Sequence, residues 1–162
     1  VTILGLVGWS GSGKTTLLTA LLPILIARGL AVSTVKHAHH GFDLDQEGKD
    51  SFRHREAGAR EVMIASDRRW ALLHEAETEA ETGLDRLVAR MQEVDLLLVE
   101  GFRSHPHAKL EVHRPSLGKP PIWPGRSDIA AVATDAPLAA APPCLDLNDP
   151  PRIAEWIAGR LA

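Results

Sequence analysis

The chain is expected to fold as an α/β domain, a mostly parallel β-sheet with helices on both faces. Short apolar, β-rich runs alternate with stretches of helical periodicity along the 162 residues, the pattern of strands joined by helical crossovers. The runs VTILGLV and DLLLVEG are apolar on both faces, as strands in the middle of a parallel sheet are. A third observation narrows the class. GWSGSGKT, Gly8 to Thr15, stands between the first run and the first helical stretch and satisfies G-x-x-x-x-G-K-[ST] without adjustment. The fold is therefore read as P-loop NTPase-like, with residues 1–162 as a single nucleotide-binding domain.

VTILGLV is the first strand. Leu17, Leu18, Leu21, Leu22, Leu25 and Ile26 then recur at helical spacing, with Gly29 as a stop. LAVSTVK, residues 30–36, is a second strand, and HAHHGFDLDQEGKDSFRHREAGA runs through a polar loop into a short helix. EVMIAS and RWALLH read as strands on either side of a tight connection at Asp67 and Arg68. EAETGLDRLVARM reads as an amphipathic helix carrying Leu84, Leu87, Val88 and Met91. DLLLVEG (95–101) is a buried strand and AKLEVHR (108–114) its neighbour, followed by a Pro-rich loop over residues 115–127. DIAAVATD and CLDL are the last strands, and PRIAEWIAGRLA is the closing helix. Ligands of such sheets bind beyond the carboxyl ends of the strands, so the polar residues that follow strands carry the function.

A formal charge of −3 lacks the basic excess of a nucleic-acid binder. No apolar run reaches the roughly 18 residues that span a bilayer. Cys144 is the only cysteine, which leaves no intramolecular disulfide and no cysteine zinc site and fits a reducing cytoplasm. The opening VTILGLVG has neither a basic segment nor a small-residue cleavage site, so a strand is expected there and not a leader.

In the phosphate loop, Gly8, Gly11 and Gly13 let the backbone N–H groups around Trp9, Ser10 and Ser12 converge on phosphate oxygens. The helix that follows, through Thr16, adds its N-terminal dipole. Lys14 is expected to reach the β- and γ-phosphates, and the Thr15 hydroxyl to take a place on Mg²⁺. A dinucleotide fingerprint is excluded, because Ser10 and Thr16 stand where it needs glycine, so NAD is not expected. A carboxylate at the end of a second buried strand usually organises the metal and its waters. Glu100 fills that place, with Gly101 allowing close backbone approach. Glutamate instead of aspartate points to contact with Mg²⁺ through water; the plain alternative is a carboxylate that merely ends a strand.

Residues 36–58 are dense in charge and histidine, and three readings stay open. The segment is a switch-like loop, with Asp43 or Asp45 near the metal and Lys36 or Arg53 near phosphate. Or His37, His39 and His40 are ligands for zinc or nickel. Or it is a solvated surface. Thr134 and Asp135 end a late strand, where nucleotide-binding sheets commonly deliver a base-reading loop. An aspartate there accepts from the guanine N1–H and N2–H₂ together, although Asn-Lys-x-Asp is absent and a simple loop cap is the alternative. Trp70 is expected in core or interface, Trp123 in packing, and Trp156 buried.

GWSGSGKTTL, VKHAHHGFDLDQEGKDSFRHREAGA, ASDRRWAL, LLLVEGFR and AVATD follow in an order that resembles the molybdopterin-guanine dinucleotide biosynthesis protein B (MobB) family, over residues 2–135. The specific part is KHxHH…DxDxxGKDS…AGA with RWAL and VEGF, since the phosphate loop is shared very widely. The resemblance implies a homodimeric P-loop protein that binds GTP with Mg²⁺ and hydrolyses it slowly. It also implies that such a protein assists the guanylyltransferase MobA, which attaches GMP to molybdopterin. Gly8 to Thr16 match the family's phosphate loop, and Glu100 and Gly101 its second metal-side motif. Lys36, His37, Asp43, Gly48, Lys49 and Asp50 match the loop particular to the family. Wider relatives carry a second lysine early in the phosphate loop, which acts across a dimer; Trp9 holds that position here. No glutamine or arginine finger declares itself, so slow turnover is expected.

The expected function is thus a cytoplasmic GTP-binding accessory protein of molybdenum cofactor maturation. Basic residues around 49–60 are available for the pterin's phosphate. Two alternatives remain: a metallochaperone GTPase built on His37, His39 and His40, and a small-molecule kinase with Asp43 as base.

Overall fold

A computed structural model describes residues 1–38, 44–138 and 142–161. In chain order the elements are β1 (Thr2–Val7), α1 (Lys14–Ala27), β2 (Val32–Lys36), α2 (Asp50–Glu56), β3 (Glu61–Ala65), β4 (Trp70–His74), α3 (Leu84–Val88), β5 (Leu96–Glu100), β6 (Lys109–His113), β7 (Ile129–Thr134), β8 (Cys144–Asp146) and α4 (Pro150–Ala158). They form two compact units, Val1–His37 with Gln92–Ala162, and Ala38–Met91.

The first unit is a six-stranded sheet in the order β2-β5-β1-β6-β7-β8, parallel at every pairing. The P-loop NTPase-like α/β fold expected from the sequence is the one observed. Leu4 and Leu6 of β1, Leu96 and Leu98 of β5, Leu110 and Val112 of β6, and Ala131 and Ala133 of β7 point into one core. Leu17, Leu21 and Leu25 of α1 close it together with Ile153, Ala154 and Ile157 of α4. Spacing of four puts the three leucines on one helix stripe, and burial of each stabilises the unit by roughly 1.5–3 kcal/mol. The amino end of α4 is fixed by Asp149, whose Oδ1 accepts from Arg152 N at 3.1 Å, and by Pro150 at the first helical position.

On the opposite face β6 behaves unusually. Lys109, Glu111 and His113 alternate with Leu110 and Val112, yet all five are buried. Each polar group has partners. Lys109 Nζ donates to His105 O, to His107 O at 2.8 Å and to Asp128 Oδ2 at 2.7 Å, which uses its three protons. Glu111 accepts from Ile122 N and Trp123 N, both at 2.7 Å. These charges hold down the connections that follow β5 and β6. Trp123 packs there against Val7, Ile129 and Val132.

In the second unit β3 and β4 form an antiparallel hairpin, Glu61 opposite His74 and Ala65 opposite Trp70, with α2 against β3. The single helix expected over 79–91 is instead a 3₁₀ turn, Glu79–Thr82, and the short α3. Gly83 separates them in an extended conformation, φ −61° and ψ 142°. Glycine's cost inside a helix makes it the natural break.

Candidate functional site

The site grows from the carboxyl end of β1, the strand between β5 and β6, where connections leave the sheet in opposite directions and ligands gather. The chain leaves Val7 through Gly8, where a Cβ would lie 2.5 Å from Val112 O and 2.6 Å from Ser12 Oγ. Only glycine fits so close to β6. Gly13 then takes φ +98° at the start of α1, a conformation cheap for glycine alone. Gly11, Ser10 and Thr16 complete the exposed rim of the loop.

Lys14 Nζ folds back over the loop, donating to Gly8 O at 3.1 Å and Trp9 O at 3.0 Å. Its third N–H is left for an acceptor. Burial pushes the ammonium's pKa below its ordinary value; Glu100 opposes this, while Arg103 and Lys36 add to it. Thr15 Oγ1 stands 3.4 and 3.5 Å from the two Glu100 oxygens, the outer limit of a hydrogen bond. Lys36 ends β2 directly beside Glu100 in the parallel register. Thus the residues expected from three separate stretches, Lys14 with Thr15, Lys36 and Glu100, meet at one place.

The turn after Glu100 is tight. Gly101 has φ +99°, and a Cβ there would sit 2.7 Å from His37 Cβ. Phe102 follows at φ 48°, an uncommon conformation for a bulky residue and a local store of strain. Its ring stacks on His37 at 4.6 Å between centroids, and His37 N donates to Glu100 O at 2.8 Å.

The residues present fit a triphosphate and a hard cation. Ser12 Oγ is buried with no hydrogen-bond partner among the described residues, Lys14 has a proton to give, and a hydroxyl and a carboxylate are the oxygen donors Mg²⁺ takes. Of the other expected residues, Thr134 is buried, its hydroxyl donating to Ala136 O at 3.2 Å, as a turn cap does. The Asp135 carboxylate pairs with Arg114 Nη1 at 2.5 Å, and Arg114 Nε donates to Ser12 O at 3.1 Å. Arg114 therefore ties the phosphate loop to the end of β7. Asp43, His39 and His40 lie outside the described residues. Asp45 pairs in the second unit with Arg55 at 3.1 Å. No group of three or more metal-ligating side chains occurs among the described residues, and no helix among them is long and apolar enough to cross a membrane.

Sequence reasoning missed Arg103, Arg114 and Glu111. Arg114 directly follows a strand on the ligand side, a signal that was available. Nothing in the alternation of KLEVHR distinguishes a solvated polar face from one covered by loops.

Residues 3–135 match the family model described as "MobB: Molybdopterin guanine dinucleotide synthesis protein B". The chain is 45% identical over 160 residues to the molybdopterin-guanine dinucleotide biosynthesis adapter protein of Haemophilus influenzae, covering 97% of this chain and 88% of that one. It is 41% identical over 160 residues to the protein of the same description from Escherichia coli, covering 97% and 91%. A crystal structure of molybdopterin-guanine biosynthesis protein B superposes with a TM-score of 0.77 at 32% identity, over 98% of each chain. Order of motifs, fold and sequence identity converge: the chain belongs to the MobB family.

Proposed function

We propose that this protein is a GTP-binding adapter in the synthesis of molybdopterin guanine dinucleotide, serving a MobA-like guanylyltransferase in the cytoplasm. The observation that carries the nucleotide part is the meeting of Lys14, Thr15 and Glu100 around the glycine loop. The descriptions of the relatives support the pathway.

In this reading the loop amides and Lys14 bind the β- and γ-phosphates, while Thr15 and Glu100 hold Mg²⁺ directly or through water. The cation, when bound, neutralises charge on the phosphate oxygens. In hydrolysis the water oxygen bonds to the γ-phosphorus as the bond to the β–γ bridging oxygen breaks; GDP and phosphate result, and the water's proton ends on phosphate. Among the described residues near the loop, no side chain is placed as a base for that water. Turnover well below about 10 s⁻¹ is expected. Asp135 supplies the preference for guanine. Molybdopterin and a second copy of the chain are the other partners.

Calorimetry with GTP, ATP and Mg²⁺ tests the reading. GTP is expected to bind more tightly than ATP, and Lys14→Ala to abolish measurable affinity for both. Equal affinities would sink the guanine assignment, and an unaffected Lys14→Ala variant would sink the phosphate loop.

A further inference from the structure

Arg103 is the third residue after Glu100 and is fixed at both ends. Its carbonyl accepts from Arg126 Nη2 at 2.6 Å. Arg126 is gripped by Asp128 through Nε at 2.9 Å and Nη2 at 2.6 Å, and Asp128 by the buried Lys109 at 2.7 Å. The whole buried charge cluster beneath β6 therefore ends on the backbone of Arg103. At the other end its guanidinium lies over the Trp9 ring, 5.2 Å from the centroid. The indole is itself tethered, because Trp9 Nε1 donates to Pro120 O at 2.7 Å, in the loop whose Ile122 and Trp123 amides Glu111 holds.

A guanidinium held over an aromatic ring by its charge still has N–H groups to offer to oxygen acceptors. Among the described residues no carboxylate or carbonyl takes them, unlike Arg114, whose N–H groups are committed to Ser12 O and Asp135. The residue is exposed, its turn is the one that delivers Glu100, and it acts electrostatically on Lys14. It thus belongs with Trp9, Lys14 and Glu100, whereas Arg114 meets the loop at Ser12 and Gly13.

We infer that Arg103 is a phosphate-contacting residue supplied in cis, its guanidinium held on the Trp9 face so that its N–H edge meets the γ-phosphate oxygens of a bound nucleoside triphosphate. This rests on the nucleotide reading above. It also gives Trp9 a task, since Arg103 at 5.2 Å and Lys119 at 5.9 Å both lie over its ring.

The test compares GDP with the non-hydrolysable β,γ-imido analogue of GTP, with Mg²⁺, on wild type, Arg103→Ala and Arg103→Lys, each checked for folding by circular dichroism. Loss of a charge-assisted contact should weaken the analogue about tenfold in Arg103→Ala, with GDP changing much less. Single-turnover GTP hydrolysis should fall with it, and Arg103→Lys should recover part of both. Trp9→Ala should reproduce the selective loss, and Trp9→Phe should soften it. If wild type binds both ligands and Arg103→Ala leaves their affinity ratio unchanged, Arg103 only packs against Trp9 and the inference fails alone. If wild type binds neither, the nucleotide reading fails and takes the inference with it.

Discussion

His107 shows how one side chain records the burial beneath β6. Its ring lies against Gly5, where a Cβ would collide with Nε2, and its Nδ1 meets His105 Nδ1 at 2.8 Å. Burial, then the charges of Lys109 and His105, push its pKa from 6.5 down to about 4, with Asp128 opposing. The folded protein therefore holds this ring neutral over a range in which the unfolded chain takes up a proton. Stability falls with falling pH wherever the unfolded state binds more protons. His107 should thus cost no stability above pH 6.5, and stability should fall as the pH drops from 6.5 towards 4. Replacing it with asparagine should remove about one proton from the unfolding linkage in that window, measured as the slope of urea-unfolding free energy against pH. An unchanged slope would mean that the imidazole is solvated in the folded state. In the same cluster the hydrogen bond to Arg126 holds the Asp128 carboxyl well below its ordinary value of 3.8; the stability this contributes is complete above that ordinary value and is lost as the pH falls from there through the depressed one.

At the scale of elements, the loop over 115–128 is shaped by one carboxylate on a strand. In Glu111→Gln a single amide oxygen faces two backbone donors, and the new NH₂ has no acceptor there. Chemical denaturation should show a loss of about 1–3 kcal/mol, and the intrinsic fluorescence of the chain should change as Trp9 and Trp123 loosen. Unaltered stability would mean that water replaces the carboxylate at these amides. This element also marks what could be read in advance. β1, β5 and α1 were legible because their apolar pattern matches where they end up, Lys14 and Thr15 because the glycine loop before them has a fixed spacing, and Glu100 because it ends a buried strand. The short α3 was misjudged, since helical periodicity over 79–91 outweighed Gly83 in the reading but not in the chain. Trp70 could not be assigned between core and interface from sequence, and it is 65% exposed. The partners of Arg103, Arg114 and Glu111 lie in loops far away in sequence, and no local pattern encodes such closures.

At the scale of the whole molecule, the exposed apolar surface of the hairpin bears on assembly. Met63 stands opposite Leu72, and Ala65 opposite Trp70, on one face of β3 and β4, since cross-strand pairs share a face. Met63, Leu72 and Trp70 are 61%, 39% and 65% exposed, which is a concentrated stripe for a two-stranded sheet that is marginal by itself. A second copy of this chain is the occupant the homodimer reading requires. A Trp buries about 150–250 Å², against roughly 800 Å² per partner in a standard interface. The stripe can therefore anchor a dimer but must be joined by surface around it. Trp70→Glu places a charge at the anchor, where desolvation without a partner is costly. Sedimentation equilibrium should find the wild type dimeric and Trp70→Glu shifted towards monomer, with nucleotide affinity changed little because the Lys14, Thr15 and Glu100 site lies in the other compact unit. A wild type that is monomeric at every concentration tested would refute the dimer. A dimer unmoved by Trp70→Glu would place the interface elsewhere than on the hairpin.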